Sequence, residues 1–177
     1  FLGIERDVQV LQVTSAMPGE GKTTTATNLA VVLAQTGAHV VIIDADLRKP
    51  RIHQVFGLPA QIGLTDNLVG DPIDLTLQGV EGGPEVIVSG AIPPNPSEML
   101  SSKRMTEVIN ELRKRFDYIV VDSAPTLPVS DAMALSRQVD GTLVVIQAGR
   151  VGLPQVRQTI ATLEQVNATI LGLVLNK

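Results

Sequence analysis

Short apolar runs alternate along the chain with stretches in which apolar residues recur every three or four positions. Residues 8–14, 39–44, 85–89, 116–122, 141–146 and 168–175 are runs too short for a typical helix and rich in Val, Ile and Leu. Such runs suit strands, and the most continuous of them suit strands buried on both faces of a parallel sheet. Between them the period lengthens. Over 24–36, Ala26, Leu29, Ala30 and Leu33 share one helical face, and Gly37 supplies a stop. Met105, Val108, Ile109 and Leu112 mark an amphipathic helix that Ser101 or Ser102 can cap. It extends to about Arg115, where three basic residues complement the helix dipole. Val156, Ile160 and Leu163 mark another over 153–166, and Ser130 with Asp131 opens one that reaches Val139. This alternation predicts an α/β fold, a parallel sheet with helices on both faces.

The middle of the chain is less regular. A short helix is expected over 52–58, ended by Gly57 and Pro59, and two more over 64–69 and 73–77, separated by Gly70, Asp71 and Pro72. The segment 63–83 reads as an insertion on one domain. Residues 90–96 carry prolines at 93, 94 and 96, which predicts a stiff extended loop without regular structure, after which Ser97 can cap a short turn of helix. No repeat and no linker divides residues 1–177.

Chemistry enters at residues 15–24. An apolar run leads into Ser15, Ala16, Met17, Pro18, Gly19, Glu20, Gly21, Lys22, Thr23 and Thr24, and a helical pattern leads out. A strand, a glycine-rich loop and a helix in that order are what a phosphate-binding loop requires. Gly19 and Gly21 leave room for a polyphosphate, and the loop amides and helix N-terminus direct partial positive charge at it. Lys22 is placed to reach the β- and γ-phosphates of a nucleotide, and Thr23 to bind the accompanying Mg²⁺. The motif GxxxxGK[ST] is met except at its first position, where Ala16 replaces Gly.

Two further apolar runs end in carboxylates, at Asp44 with Asp46 nearby and at Asp122. Ligands of parallel α/β sheets sit beyond the carboxyl ends of the strands. A buried aspartate there is costly unless a cation or hydrogen bonds offset it, and Mg²⁺ bound to ATP is such a cation. One carboxylate should hold the metal and another should orient or deprotonate the attacking group. Position favours Asp122 for the metal and leaves the remaining roles to Asp44 and Asp46.

Composition narrows the classes. Hydrophobic residues make up 44 % and charged residues 18 % of 177 residues, which fits one globular domain with a substantial core. The net charge of −4 argues against a general nucleic-acid partner. Without cysteine there is no disulfide and no thiolate-held zinc or iron–sulfur cluster. No apolar run approaches the roughly 20 residues of a membrane span, and residues 1–13 lack the features of a signal peptide. Both ends read as cut from a longer chain.

Together these motifs resemble those of the bacterial tyrosine kinases of exopolysaccharide and capsule synthesis. That family is a P-loop NTPase group of the deviant-Walker, MinD-like branch. Its Walker A motif is matched by residues 15–24, its Walker A′ by 41–50, its Walker B by 118–125 and its proline-rich segment by 90–100. The resemblance implies a cytoplasmic kinase domain at the inner face of the bacterial membrane, autophosphorylating on tyrosine with ATP and Mg²⁺. It also implies ring-shaped homo-oligomers, tyrosine-bearing tails as acceptors, and a membrane adaptor or polysaccharide co-polymerase, fused or separate, that stimulates activity. By residue, it implies that Pro18, Gly19, Glu20, Gly21, Lys22, Thr23 and Thr24 bind nucleotide. Lys22, Asp44 and Asp46 would act in catalysis, Asp44 as the base. Thr23, Asp46 and Asp122 would support the metal, and Asn176 would contact adenine. Arg48 and Lys49 would face a neighbouring subunit or the incoming tail.

Two features depart from the family. Tyr118 is the sole tyrosine, in a strand, and of the family's Glu/Arg-patterned upstream helix only Glu5 and Arg6 stand near the expected place. Two other readings compete. ParA- and MinD-like positioning ATPases carry a signature lysine in the loop where Met17 stands here. A catalytically silent nucleotide-switch adaptor would need no acid–base residues, yet Lys22 and all three aspartates are present.

Overall fold

A computed structural model describes residues 8–70 and 75–177. Seven strands form one sheet: β1 (Val10–Ser15), β2 (Val40–Ala45), β3 (Gln78–Gly79), β4 (Glu85–Ile87), β5 (Tyr118–Ser123), β6 (Gly141–Gln147) and β7 (Ile170–Asn176), in the order β3-β4-β2-β5-β1-β6-β7. Every pairing is parallel except β3 with β4. That exception departs from the parallel sheet expected from sequence. Its cause is the short turn between the two strands, where Gly82 has φ 65 and the Gly83 N–H donates to the Val80 carbonyl at 3.0 Å. A parallel pair needs a crossover of about a dozen residues or more.

Alternation along the strands divides the core. Val41, Ile43, Ile119 and Val121 face α5 (Lys103–Arg113), whose Met105, Val108, Ile109 and Leu112 are buried. Val13, Ile42 and Val120 face the opposite way, onto Ala26 and Ala30 of α1 (Lys22–Gln35) and Ile52 of α2 (Ile52–Phe56). A third cluster sets Val144 and Ile146 against Leu163 of α7 (Leu153–Gln165). Helices therefore lie on both faces, although coverage stops short of the β7 edge. Leu173 and Leu175, on the same face as Val144 and Ile146, are 51 % and 72 % exposed, whereas Ile170 at the start of β7 packs against the cluster that holds Leu163 of α7.

Several ends differ from the sequence reading. The helix expected over 73–77 falls partly on residues outside those described, and 75–77 run without regular structure into β3. The short helix α3 (Leu64–Val69) stands where expected. Pro96 does not bar helix but begins one, α4 (Pro96–Leu100), with Asn95 rather than Ser97 at the N-cap position. At the first helical position the missing N–H is one the helix leaves unpaired anyway. Ser102 caps α5, accepting from the Met105 N–H at 3.2 Å. Helix α6 (Asp131–Ser136) stops before Val139, as the chain turns to bring Asp140 onto the N–H groups of Gln9 and Val10 at 3.0 and 2.7 Å. Glu5 and Arg6 lie outside the described residues.

Candidate active site

The site is assembled at the carboxyl ends of the central strands. β1 leads into the glycine-rich loop, and β2 and β5 run beside each other in a register that makes Asp44 and Asp122 direct partners. Asp46 follows directly after the last residue of β2. A cavity of about 540 Å³ opens there, bounded by the loop from Pro18 to Thr24, by Asp46, and by basic side chains including Arg48, Lys49 and Arg150. A larger depression of about 1130 Å³ lies at the opposite ends of the strands. Its cations are already paired, Arg113 with Asp140 and Lys114 with Glu111, each at 2.7 Å. The smaller cavity, at the strand ends where α/β proteins bind ligands, is the candidate.

Gly19 and Gly21 give the loop its shape, with φ 84 and 90, angles that residues with a Cβ rarely adopt. The Ser15 hydroxyl donates to the Met17 carbonyl at 2.8 Å. Glu20 was expected among the nucleotide-contacting residues, but its side chain is fully buried behind the loop. Its carboxylate accepts from the Met17 N–H at 2.5 Å and from the Gln147 N–H of β6 at 3.0 Å. It braces the loop from within, so only its backbone is available to a ligand. Asn176, expected at the adenine, donates from its side-chain amide to the Glu20 carbonyl at 3.1 Å and fills the space beneath Gly21.

Lys22 opens α1 and turns back over the aspartates. Its Nζ lies 2.7 Å from Asp46 Oδ2 and 3.6 Å from Asp122 Oδ1. The Thr23 hydroxyl donates to Asp122 Oδ2 at 2.6 Å. Asp44 is engaged differently. One of its oxygens accepts from the N–H groups of Arg51 and Ile52, both at 2.9 Å, at the entry to α2. The other, Oδ1, is buried with no hydrogen-bond partner among the described residues.

One ammonium thus serves a group of three carboxylates. Burial works to lower the Lys22 pKa, but the charges of Asp122, Asp46 and Asp44 outweigh it and hold the ammonium above its ordinary value. Burial pushes Asp44 up to about 6, against the two backbone N–H bonds, with Asp46 adding to the rise. Burial likewise pushes Asp122 up to about 7, against the attraction of Lys22. The cluster is short of positive charge, and Asp122 Oδ1 lacks a hydrogen-bond partner. Those two features, with the Thr23 hydroxyl alongside, fit a hard divalent cation.

The expected residues come together at one end of the sheet, with Glu20 and Asn176 bracing the loop. Pro18, Gly19, Gly21, Lys22, Thr23 and Thr24 line the cavity. Arg48, expected to face a neighbouring subunit or the incoming tail, lines the cavity and forms a two-pronged contact with fully buried Asp131, Nε at 2.7 Å and Nη2 at 3.0 Å. Ser97 and Ser130 complete that group, Ser97 bonding both Asp131 and the Ser130 hydroxyl. The network fastens the segment after β2 to the proline-rich segment and to α6. Sequence reading missed Asp131 and Arg150. Arg150 was detectable, since it follows directly from the carboxyl end of a strand; Asp131 reads only as a helix start.

Comparison with known proteins agrees with the geometry. Residues 7–177 match the ParA family, described as NUBPL iron-transfer P-loop NTPase, although this chain has no cysteine to hold iron. Tyrosine-protein kinase YwqD of Bacillus subtilis is 41 % identical over 99 % of this chain and 75 % of its own length. Tyrosine-protein kinase etk of Escherichia coli K12 is 36 % identical over 99 % of this chain, which spans only 24 % of that protein. The solved kinase domain of Escherichia coli tyrosine kinase ETK superposes with a TM-score of 0.93 over 98 % of this chain and 69 % of the solved one, at 36 % identity. A phosphate loop backed by aspartates in register, on a ParA-type sheet, places the chain in the family of bacterial tyrosine-protein kinases.

Proposed function

We propose that this domain transfers the terminal phosphoryl group of Mg·ATP to the hydroxyl of a tyrosine on another segment, and thereby regulates exopolysaccharide or capsule synthesis. The observation that carries the reading is the buried trio Asp44, Asp46 and Asp122 around a single lysine at a phosphate loop. Lys22 leaves Asp46 and turns to the phosphates, where its charge offsets the charge that develops in transfer. Thr23, Asp46 and Asp122 would hold the magnesium ion, which when bound would neutralise phosphate charge. Asp44 accepts the tyrosine proton at its unpartnered Oδ1. A carboxylate raised to about 6 is a better base than a solvated one and stays ionised at neutral pH. The loop amides and Gly19 seat the phosphates, and Glu20 and Asn176 keep the loop in shape.

Tyr118 does not serve as the acceptor in its own site. It lies four residues from Asp122 along β5, about 13 Å at strand spacing and toward the opposite end of the sheet. The acceptor is a tyrosine-bearing tail from a neighbouring copy or from the rest of the protein. The ring-shaped homo-oligomer, the membrane adaptor or co-polymerase and the place at the inner membrane face belong to the same proposal. Among the described residues no helix is long and apolar enough to cross a membrane, so the proposal assigns membrane contact to another segment or partner.

The test is phosphotyrosine formation on full-length protein with its adaptor and Mg·ATP. Lys22→Met and Asp122→Asn should each lower the signal by at least two orders of magnitude, since each removes a charge that acts in phosphoryl transfer. ATP hydrolysed to free phosphate with no phosphotyrosine formed would refute the kinase reading and favour the positioning ATPases. That alternative is already weakened by Met17, which is 40 % exposed at the loop and carries no charge.

A further inference from the structure

Arg150 belongs to none of the motifs, yet its guanidinium rests on the phosphate loop. Nη1 lies 3.4 Å from the Gly19 carbonyl and 3.4 Å from Gln147 Oε1. A Cβ built on Gly19 would meet the Arg150 guanidinium at 2.7 Å, so the absence of a side chain at Gly19 is what admits it. The side chain is exposed at the cavity wall, and no carboxylate among the described residues pairs with it. Two other arginines line the cavity from the segment after β2: Arg48, committed to Asp131, and Arg51, whose backbone N–H is held by Asp44.

The loop that carries Arg150 is built onto the phosphate loop rather than draped over it. The Gln147 N–H donates to Glu20, the Ala148 N–H to the Asn176 carbonyl at 2.8 Å, and the Arg150 N–H to the Gln147 carbonyl at 3.2 Å. Asn176 in turn holds the Glu20 carbonyl. A turn at Gly149, with φ 75, sends the following residue back toward Gly19. Two weak carbonyl contacts are poor partners for a permanent cation, whereas a phosphate oxygen is a strong one with the geometry a guanidinium fork prefers.

From this the geometry points to a further ligand-binding residue: Arg150 closes from Gly19 onto the polyphosphate of a nucleotide seated in the loop. It supplies a second cation to the loop from within the same chain. Lys22 approaches from the aspartate side and Arg150 from the β6 side, so the phosphates are gripped between two charges. The inference rests on the nucleotide reading of the site and extends it to a residue outside the motifs.

The test is titration of the 177-residue chain with the fluorescent nucleotides mant-ADP and mant-ATP in Mg²⁺, for wild type, Arg150→Ala, Arg150→Lys and Lys22→Ala. Arg150→Ala should weaken both nucleotides about tenfold or more, the loss expected of a charge-assisted hydrogen bond. Arg150→Lys should recover part of that affinity, and added salt should penalise wild type more than Arg150→Ala. The nucleotide-free melting temperature of Arg150→Ala should match wild type, since only two long contacts are removed. Arg150→Ala binding within twofold of wild type, while Lys22→Ala is weakened, would overturn this inference and leave the nucleotide site standing. No binding by wild type, or equal binding by wild type and Lys22→Ala, would overturn both.

Discussion

At the scale of single residues, the site is a problem of charge. Asp44 and Asp122 are held at about 6 and about 7, well above the roughly 4 of a solvated carboxylate. Between those values the folded, nucleotide-free chain keeps protons that the unfolded chain releases. Stability is therefore greatest below the unfolded pKa and is lost as pH rises through the folded values, by up to about 1.4 kcal/mol per pH unit for each group. The melting temperature without nucleotide should fall between about pH 4 and about pH 7, and Asp122→Asn should flatten the fall. A melting temperature that rises over that range would show that the carboxylates are not held protonated. The same shortage of positive charge explains why Lys22 turns onto Asp46 rather than out toward solvent.

At the scale of elements, the phosphate loop is stable because its neighbours hold it. Glu20 links the loop to β6, and Asn176, the last residue of β7, links it to that strand. Glu20→Ala should destabilise the fold by about 2 kcal/mol by leaving the N–H groups of Met17 and Gln147 without their partner. Urea unfolding reads that loss, and nucleotide affinity should drop with it because the loop is no longer braced. The unchanged stability of such a variant would mean that water replaces the carboxylate. Most of this level was legible in the sequence: the strand–loop–helix order, the aspartates closing β2 and β5, and the cap at Ser102 are local signals with local causes. What was not legible depended on distance. Nothing adjacent to Glu20 reveals that its partner is the amide of Gln147, and nothing around Arg48 reveals a buried aspartate more than eighty positions later. Pro96 was misread for another reason, since proline bars a helix interior but suits its first position. The antiparallel β3 was missed because two residues make no periodic pattern.

At the scale of the whole molecule, β1 lies inside the sheet and everything functional depends on it. Val10 pairs with Ile119 on one side and Leu11 with Gly141 on the other, partners roughly a hundred or more positions away. Within this domain the strand that carries the phosphate loop is thus synthesised before both of its neighbours and is completed only when β5 and β6 are in place. Such non-local pairing closes large chain loops before any contact rewards them, so refolding should be slow, on the millisecond-to-second scale or longer. Its last phase should also be the one in which the nucleotide site returns. Followed after dilution from urea, recovery of mant-nucleotide fluorescence should coincide with the slowest recovery of secondary structure by circular dichroism. A fluorescence phase that precedes it would mean that the loop forms on a half-built sheet. With β1 central, occupancy of the phosphate loop becomes a report that the whole chain has folded.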